Sequence, residues 1–253
     1  QSAGASSAVM LFSLDGVARD TLRGGALVSL GGYLGAAVGI FFTLAVLPNM
    51  AGIIRLRSNR APSLPGDIGA APESAMRLIL RAAAGFLLVF PIVMTVGWVS
   101  SIAARRLTGE TLDPLAHKTL RLLSDADTSA DGGVWWWATV LCVLLGAPIV
   151  EEIVYRGFIQ SAIRRAVLWS AETRPRDPLR PPPRRRAAWA SILGTSILFA
   201  SMHLGVVESH ALVTLFALSI GFGIACERSG RLATPIVMHV LFNAANLGLS
   251  IVA

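Results

Sequence analysis

The chain alternates long stretches without charged residues and short segments rich in arginine and proline. Six stretches of 18 to 31 residues contain no Asp, Glu, Lys or Arg, and they cover residues 24–54, 82–104, 132–150, 187–207, 209–226 and 232–253. A helix that crosses the hydrocarbon core of a bilayer needs about 20 predominantly apolar residues, because each residue rises about 1.5 Å. The pattern therefore predicts an all-α, polytopic membrane protein with at least six transmembrane helices.

The composition supports this fold class. Of the 253 residues, 54% are hydrophobic and 15% are charged, and the mean hydropathy is +0.63. An ordinary soluble domain carries about 25% charged residues. A disordered chain combines low hydrophobicity with high net charge. Both classes are excluded.

Arginines between the apolar stretches explain the net charge of +7. Cytoplasmic loops of membrane proteins carry an excess of Lys and Arg. The segment 164–186 contains eight arginines and five prolines, and we interpret it as a cytoplasmic loop. Nucleic-acid binding is excluded as a function, because no basic segment is interleaved with the aromatic residues that stack on bases.

Several polar residues lie within or directly beside the apolar stretches and form the candidate site. Glu151 and Glu152 follow the third stretch, His203 lies in the fourth, and His239 and Asn243 lie in the last. Polar and ionisable side chains inside a membrane are costly and usually functional. We therefore expect these five side chains to converge on one buried polar active site.

Helical spacing gives the two glutamates different roles. Glu152 and Arg156 are four residues apart and can form an ion pair. Glu151 points about 100° away and has no basic residue one turn further on, so this carboxylate is free to accept and return a proton. Pro148 is expected to kink or break this helix before Glu151. Taken alone, the motif also permits both glutamates merely to neutralise arginines at the membrane surface.

The histidine motifs suggest two further roles. Phe199 lies one turn before His203 and is expected to pack against its ring. His239 and Asn243 are four residues apart, so their side chains share one helix face and can together stabilise an oxyanion. Each of these polar groups, taken singly, is also explained by a hydrogen bond between neighbouring helices.

Other hydrolase classes find no support in the sequence. There is no His-Glu-x-x-His zinc motif, and no Asp lies within the six apolar stretches, which argues against an aspartyl protease. The segment around Ser196 lacks the second glycine of a rhomboid-type serine motif, and we interpret Ser196 as a packing residue.

Three motifs, taken together and in order, resemble the CPBP family, the CAAX-processing and bacteriocin-processing intramembrane proteases of the Abi type. They stand in this chain as Glu151-Glu152…Arg156, Phe199…His203 and His239…Asn243. The resemblance covers residues 134–253, which it identifies as a catalytic core of four spans with the Arg/Pro-rich loop inserted. Residues 1–133 are then an N-terminal tail with two spans and their loops.

The resemblance implies a glutamate-dependent endopeptidase whose site lies within the membrane and requires no cofactor. Glu151 with His203 would activate a water molecule, and His239 with Asn243 would hold the oxyanion. The alternative is a zinc enzyme with Glu151, His203 and His239 as ligands. The expected substrate is a peptide or membrane-protein terminus reached within the lipid bilayer, and the expected location is a bacterial inner membrane.

Two functions without proteolysis stay open. A non-catalytic membrane scaffold or immunity protein could retain the same fold. It would be favoured by loss of Glu151 or His203, and both are present. A transporter could use buried Glu and His residues to relay protons. Paired broken helices in two internal halves would favour it, and the sequence has none.

Overall fold

The computed structural model of the chain describes residues 26–36, 74–109, 123, 132–172, 183–204 and 207–252. Within these ranges the fold is helical, as predicted. The first two helices are α1 (Ala26–Ala36) and α2 (Ala75–Thr108). The third consists of α3 (Gly132–Leu141), π1 (Cys142–Gly146), α4 (Ala147–Glu152), π2 (Ile153–Gln160) and α5 (Ser161–Glu172). Then follow α6 (Pro183–Met202), α7 (Ala211–Ser229) and α8 (Ala233–Val252). The predicted loop 164–186 is therefore too long at both ends, because α5 continues to Glu172 and α6 begins at Pro183.

Three of the described helices are long and apolar enough to cross a bilayer, namely α2, residues Gly133–Ser170 of the third helix, and α7. Helix α6 carries three consecutive arginines in its first turn, which lower its mean hydropathy. Of the first apolar stretch, only the residues of α1 are described. The other three expected spans therefore stay predictions.

The third helix is continuous through Pro148, and the expected break is absent. The backbone instead widens to π-helical turns in π1, which ends two residues before Pro148, and again in π2. Proline has no N–H to donate, and its ring crowds the preceding turn of an α-helix. A wider turn just before the proline relieves this crowding without ending the helix.

The candidate site lies in a compact unit that combines Ser63–Lys118 with Glu151–Asn246. In the described part of this unit, one apolar core joins three helices, with Ala82 and Val93 from α2, Leu218 and Phe222 from α7, and Met238 from α8. The second compact unit has its own small core of Leu123, Val140 and Leu247, with Trp136 and Leu144 packed against it.

Two glycines bring α7 close to its neighbours. A Cβ atom at Gly221 would lie 2.6 Å from Cγ1 of Val89 on α2. A Cβ atom at Gly223 would lie 3.1 Å from Cγ2 of Ile192 on α6. Small residues permit such close approach between membrane helices. Helix α7 therefore packs tightly between α2 and α6, and this packing fixes the wall of the site.

Candidate active site

The ring of Phe199 on α6 is buried at the centre of the candidate site. Its centroid lies 4.6 Å from the ring of His203, 5.0 Å from Tyr155 and 6.3 Å from His239. The guanidinium carbon of Arg156 lies 5.5 Å from the same centroid. Contacts with this one ring therefore bring together residues of all three sequence motifs, which come from π2, α6 and α8.

Glu152 is fully buried, and both of its carboxylate oxygens are engaged. Oε2 forms an ion pair with Nε of Arg156 at 3.1 Å. Oε1 accepts a hydrogen bond from Nδ1 of His239, also at 3.1 Å. The ion pair predicted from the four-residue spacing is confirmed. The contact with His239 is new, and it links the first motif directly to the third.

Arg156 is fully buried and held from several sides. Its Nη2 donates to both the backbone oxygen and Oγ of Ser219 on α7, each at 3.0 Å. The guanidinium also lies near the ring faces of Phe199, at 5.5 Å, and Phe222, at 5.7 Å, where cation–π attraction favours it. A buried charge requires such compensation, because its transfer from water is costly.

A polar ladder continues from this ion pair along the interface between the third helix and α7. Nε2 of Gln160 lies 3.4 Å from both the backbone oxygen of Gly223 and Oε1 of Glu227. Nη1 of Arg164 lies 3.3 Å from Oε2 of Glu227. The contacts thus recur every four residues on both helices. Arg156 contacts Ser219, Gln160 contacts Gly223, and Arg164 contacts Glu227.

This ladder was not predicted, although half of its pattern is visible in the sequence. Glu152, Arg156, Gln160 and Arg164 recur every four residues, and only the first two were predicted to pair. The facing set of Ser219, Gly223 and Glu227 recurs with the same interval. Either set alone is an ordinary polar face, so only the register between the two helices reveals the pairing.

Hydrogen bonds define the tautomers of both histidines. Nδ1 of His203 lies 2.8 Å from the backbone oxygen of Phe199, which can only accept, so Nδ1 carries the proton. The Nε2 atom of a neutral His203 ring therefore presents a lone pair. Nδ1 of His239 faces a carboxylate oxygen and likewise carries a proton. His239 can consequently donate from Nε2 only as an imidazolium.

Glu151 and Asn243 complete the six predicted site residues. Glu151 is partly buried, and its carboxylate interacts electrostatically with His239, His203 and Arg156. Asn243 lies one turn after His239 on α8 and is also partly buried. The structure thus links Glu152, Arg156, His203 and His239 through direct contacts with one another or with Phe199. Glu151 lies within their electrostatic field, and Asn243 follows His239 on the same helix face.

The donor atoms for the zinc alternative are suitable in kind. Two imidazole Nε2 atoms and the carboxylate of Glu151 would resemble the two-histidine, one-glutamate ligand sets of catalytic zinc sites. Among the residues that the structure describes, however, no group of three His, Cys, Asp or Glu side chains is arranged to hold a metal ion. A zinc site would therefore require Glu151, His203 and His239 to move closer together.

The buried ion pair leads to a first prediction. In Arg156→Met the side-chain volume is retained and Glu152 loses its cation, so the free energy of unfolding should fall by about 3–5 kcal/mol. The double variant Glu152→Gln/Arg156→Met removes both charges and should be more stable than Arg156→Met alone. Denaturant unfolding in one detergent measures both, with Arg165→Met, at an exposed position, as the control. Equal stability of the single and double variants would contradict the prediction.

Part of this chain is similar in sequence to known proteins. The family model described as "Type II CAAX prenyl endopeptidase Rce1-like" matches residues 133–245. A protein of Escherichia coli described as "Uncharacterized 24.3 kDa protein" is 28% identical over 111 residues, which are 44% of this chain and 42% of that protein. This chain therefore spans about two fifths of that relative's length. No solved structure matches the chain.

The matched region and the three apolar helices together identify an integral membrane protein that contains a domain of a peptidase family. The region includes all six predicted site residues, from Glu151 to Asn243. Residues 133–245 of this chain are therefore similar to the Rce1-like family of type II CAAX prenyl endopeptidases.

Proposed function

We propose that this chain is an intramembrane endopeptidase in which Glu151 is the general base. The observation that carries the proposal is the different engagement of the two adjacent glutamates. Both oxygens of Glu152 are occupied by Arg156 and His239, and the side chain is fully buried. Glu151 is partly exposed and lies in the field of both histidines. Glu151 is therefore the carboxylate of the pair that can meet a water molecule.

His203 would position that water together with Glu151. The backbone oxygen of Phe199 fixes the Nδ1–H of His203, so the opposite nitrogen, Nε2, is available to accept a hydrogen bond from water. The neighbouring Phe199 ring, 4.6 Å away, restricts rotation of the imidazole. A water molecule between Glu151 and His203 would thus have two acceptors, one of which can take its proton.

His239 and Asn243 would stabilise the oxyanion that forms when water attacks the scissile carbonyl. In this proposal His239 acts as an imidazolium, whose charge the Glu152 carboxylate at 3.1 Å balances. The two carboxylates of the glutamate pair then face two cations, Arg156 and His239. The carboxamide of Asn243 adds a neutral donor one turn away. Preorganised donors of this kind are effective because they need no reorientation during the reaction.

The reaction follows from these roles. The water oxygen bonds to the carbonyl carbon while its proton passes to Glu151. The resulting tetrahedral oxyanion is held by His239 and Asn243. When the carbon–nitrogen bond breaks, the leaving amine takes the proton from Glu151, which regenerates the carboxylate for the next cycle.

We further propose that the substrate is a C-terminal peptide segment, reached within the membrane, that carries a large apolar group. The family description names prenylated CAAX sequences as the substrate class. In this structure an apolar recess of about 290 Å³ lies between α6 and α7. Its lining includes Ala200 and Leu204, which lie three residues before and one residue after His203 in the sequence. An apolar group in this recess would place the attached peptide beside the histidine.

We expect the chain to work in a bacterial inner membrane.

The general-base role predicts the effect of Glu151→Gln. Cleavage of a prenylated C-terminal peptide in proteoliposomes should be abolished, because the amide cannot accept the proton from water. The unfolding temperature should stay close to that of the unaltered chain, since the ion pair of Glu152 remains. A variant that cleaves at the original rate would overturn the assignment. An unaltered chain that cleaves neither prenylated nor unmodified peptides would favour the scaffold alternative.

The oxyanion role predicts a graded effect for Asn243→Ala. Turnover should fall by about 10²–10³, as it does when one oxyanion donor is removed from other enzymes. The Michaelis constant should change little, because the donor acts on the transition state. Steady-state kinetics separates these two quantities. Unchanged turnover would leave Asn243 without a catalytic role.

The zinc alternative has one observation in its favour. Both histidines donate Nδ1–H to an oxygen acceptor and direct Nε2 away from it, as metal-bound histidines commonly do. Under our proposal, peptide cleavage should survive prolonged treatment with a strong chelator, and purified protein should lack stoichiometric zinc. One zinc ion per chain, with activity lost to the chelator and restored by zinc, would establish the metal-dependent mechanism instead.

A further inference from the structure

The start of α6 carries an exposed basic face. We define this face by Arg184, Arg185 and Arg186, all of which are exposed. Arg164 on the neighbouring α5 differs, because it is mostly buried and paired with Glu227. The polar ladder therefore uses one arginine of this region, and the basic face has no role in the proposed hydrolysis.

Two exposed tryptophans lie beside the basic face. Trp169 on α5 is 73% exposed and Trp189 on α6 is 45% exposed, although tryptophan is a large and largely apolar side chain. Helices α5 and α6 pack against each other, and a Cβ atom at Gly194 would lie 3.2 Å from Cδ1 of Ile163. This contact provides a reference level for locating the tryptophans along both helices.

The tryptophans and arginines occupy successive levels. Trp169 is six residues beyond Ile163, and Trp189 is five residues before Gly194, which correspond to about 9 Å and 7.5 Å along their helices. A short connection between packed helices makes them antiparallel, so both tryptophans lie at nearly the same level. Arg184–Arg186 lie about one turn further from the reference contact.

This order matches the layers of a membrane surface. Tryptophan side chains concentrate at the headgroup level of a bilayer. Arginine binds phosphate through parallel N–H donors, and Arg184–Arg186 lie about one turn beyond the tryptophans. Basic residues next to a membrane surface also attract anionic lipids. The aromatic level and the basic level therefore indicate the same partner.

We propose that the basic face binds the phosphate groups of anionic phospholipids, and so docks this end of α5 and α6 on an anionic leaflet. The three arginines supply the charge, and Trp169 and Trp189 fix their depth. The proposal is independent of catalysis, because none of these residues belongs to the active site.

Equilibrium lipid binding to the full chain in nonionic detergent tests the proposal. The probes are fluorescent phosphatidylglycerol and phosphatidylcholine with identical acyl chains. The unaltered chain should bind phosphatidylglycerol at least about tenfold more tightly, since each basic residue near a membrane surface contributes about a fivefold preference. In the triple variant R184Q/R185Q/R186Q this preference should largely disappear, whereas the triple lysine variant should retain most of it.

The pair Arg105 and Arg106 provides a matched control. Both are exposed at the end of α2, and the turn of the helix that precedes them contains no tryptophan. The variant R105Q/R106Q should keep the preference for phosphatidylglycerol. If the triple glutamine variant unfolds at a lower temperature, the single variants R184Q, R185Q and R186Q serve in its place, and each should weaken phosphatidylglycerol binding severalfold.

Three outcomes would overturn the proposal. The first is equal binding of the two lipids by the unaltered chain. The second is a loss in R105Q/R106Q equal to that in the triple variant, which would indicate only a general attraction between charges. The third is displacement of phosphatidylglycerol by an equal concentration of glycerophosphoglycerol or inorganic phosphate, which would indicate a site for soluble anions.

Discussion

The site depends on one buried ionic network, in which the carboxylate of Glu152 joins Arg156 to His239. A lone carboxylate at this depth would be unstable, and a lone guanidinium equally so. Once paired, the two charges order the side chains around them. Arg156 attaches to Ser219 on α7, and His239 is held on α8. The network thereby connects three helices, and by engaging Glu152 it leaves the adjacent glutamate available for chemistry.

The widened backbone of π2 explains how the polar ladder stays in register. In a regular α-helix, residues four apart drift by about 40° around the axis, because a turn holds 3.6 residues. Over two such steps, from Arg156 to Arg164, a drift of about 80° would carry the last side chain away from α7. A π-helical turn holds more residues and drifts in the opposite sense. Because π2 covers Ile153–Gln160, Arg156, Gln160 and Arg164 can all reach the same helix.

The sequence alone sufficed for the helical fold class and the pairing of Glu152 with Arg156, whereas the catalytic roles of the six candidate site residues stay predictions. Each depends on a local pattern, such as an apolar stretch or a four-residue interval. The contact between Glu152 and His239 spans 87 residues of sequence, and no local pattern specifies it. Of the kink or break expected at Pro148, the break is absent for a related reason. A π-helical turn has no clear sequence signature, whereas proline strongly suggests a break.

The close approach of Gly221 to Val89 has a consequence for the evolution of the chain. Helix α2 lies outside the family-matched region, yet its Ala82 and Val93 share a core with Phe222, whose ring lies 4.9 Å from that of His239. Positions 89 and 221 compete for the same space. A larger residue at 221 requires a smaller one at 89. Homologous chains that retain α2 should therefore vary at these two positions in a correlated way, and the correlation would cross the boundary of the family-matched region.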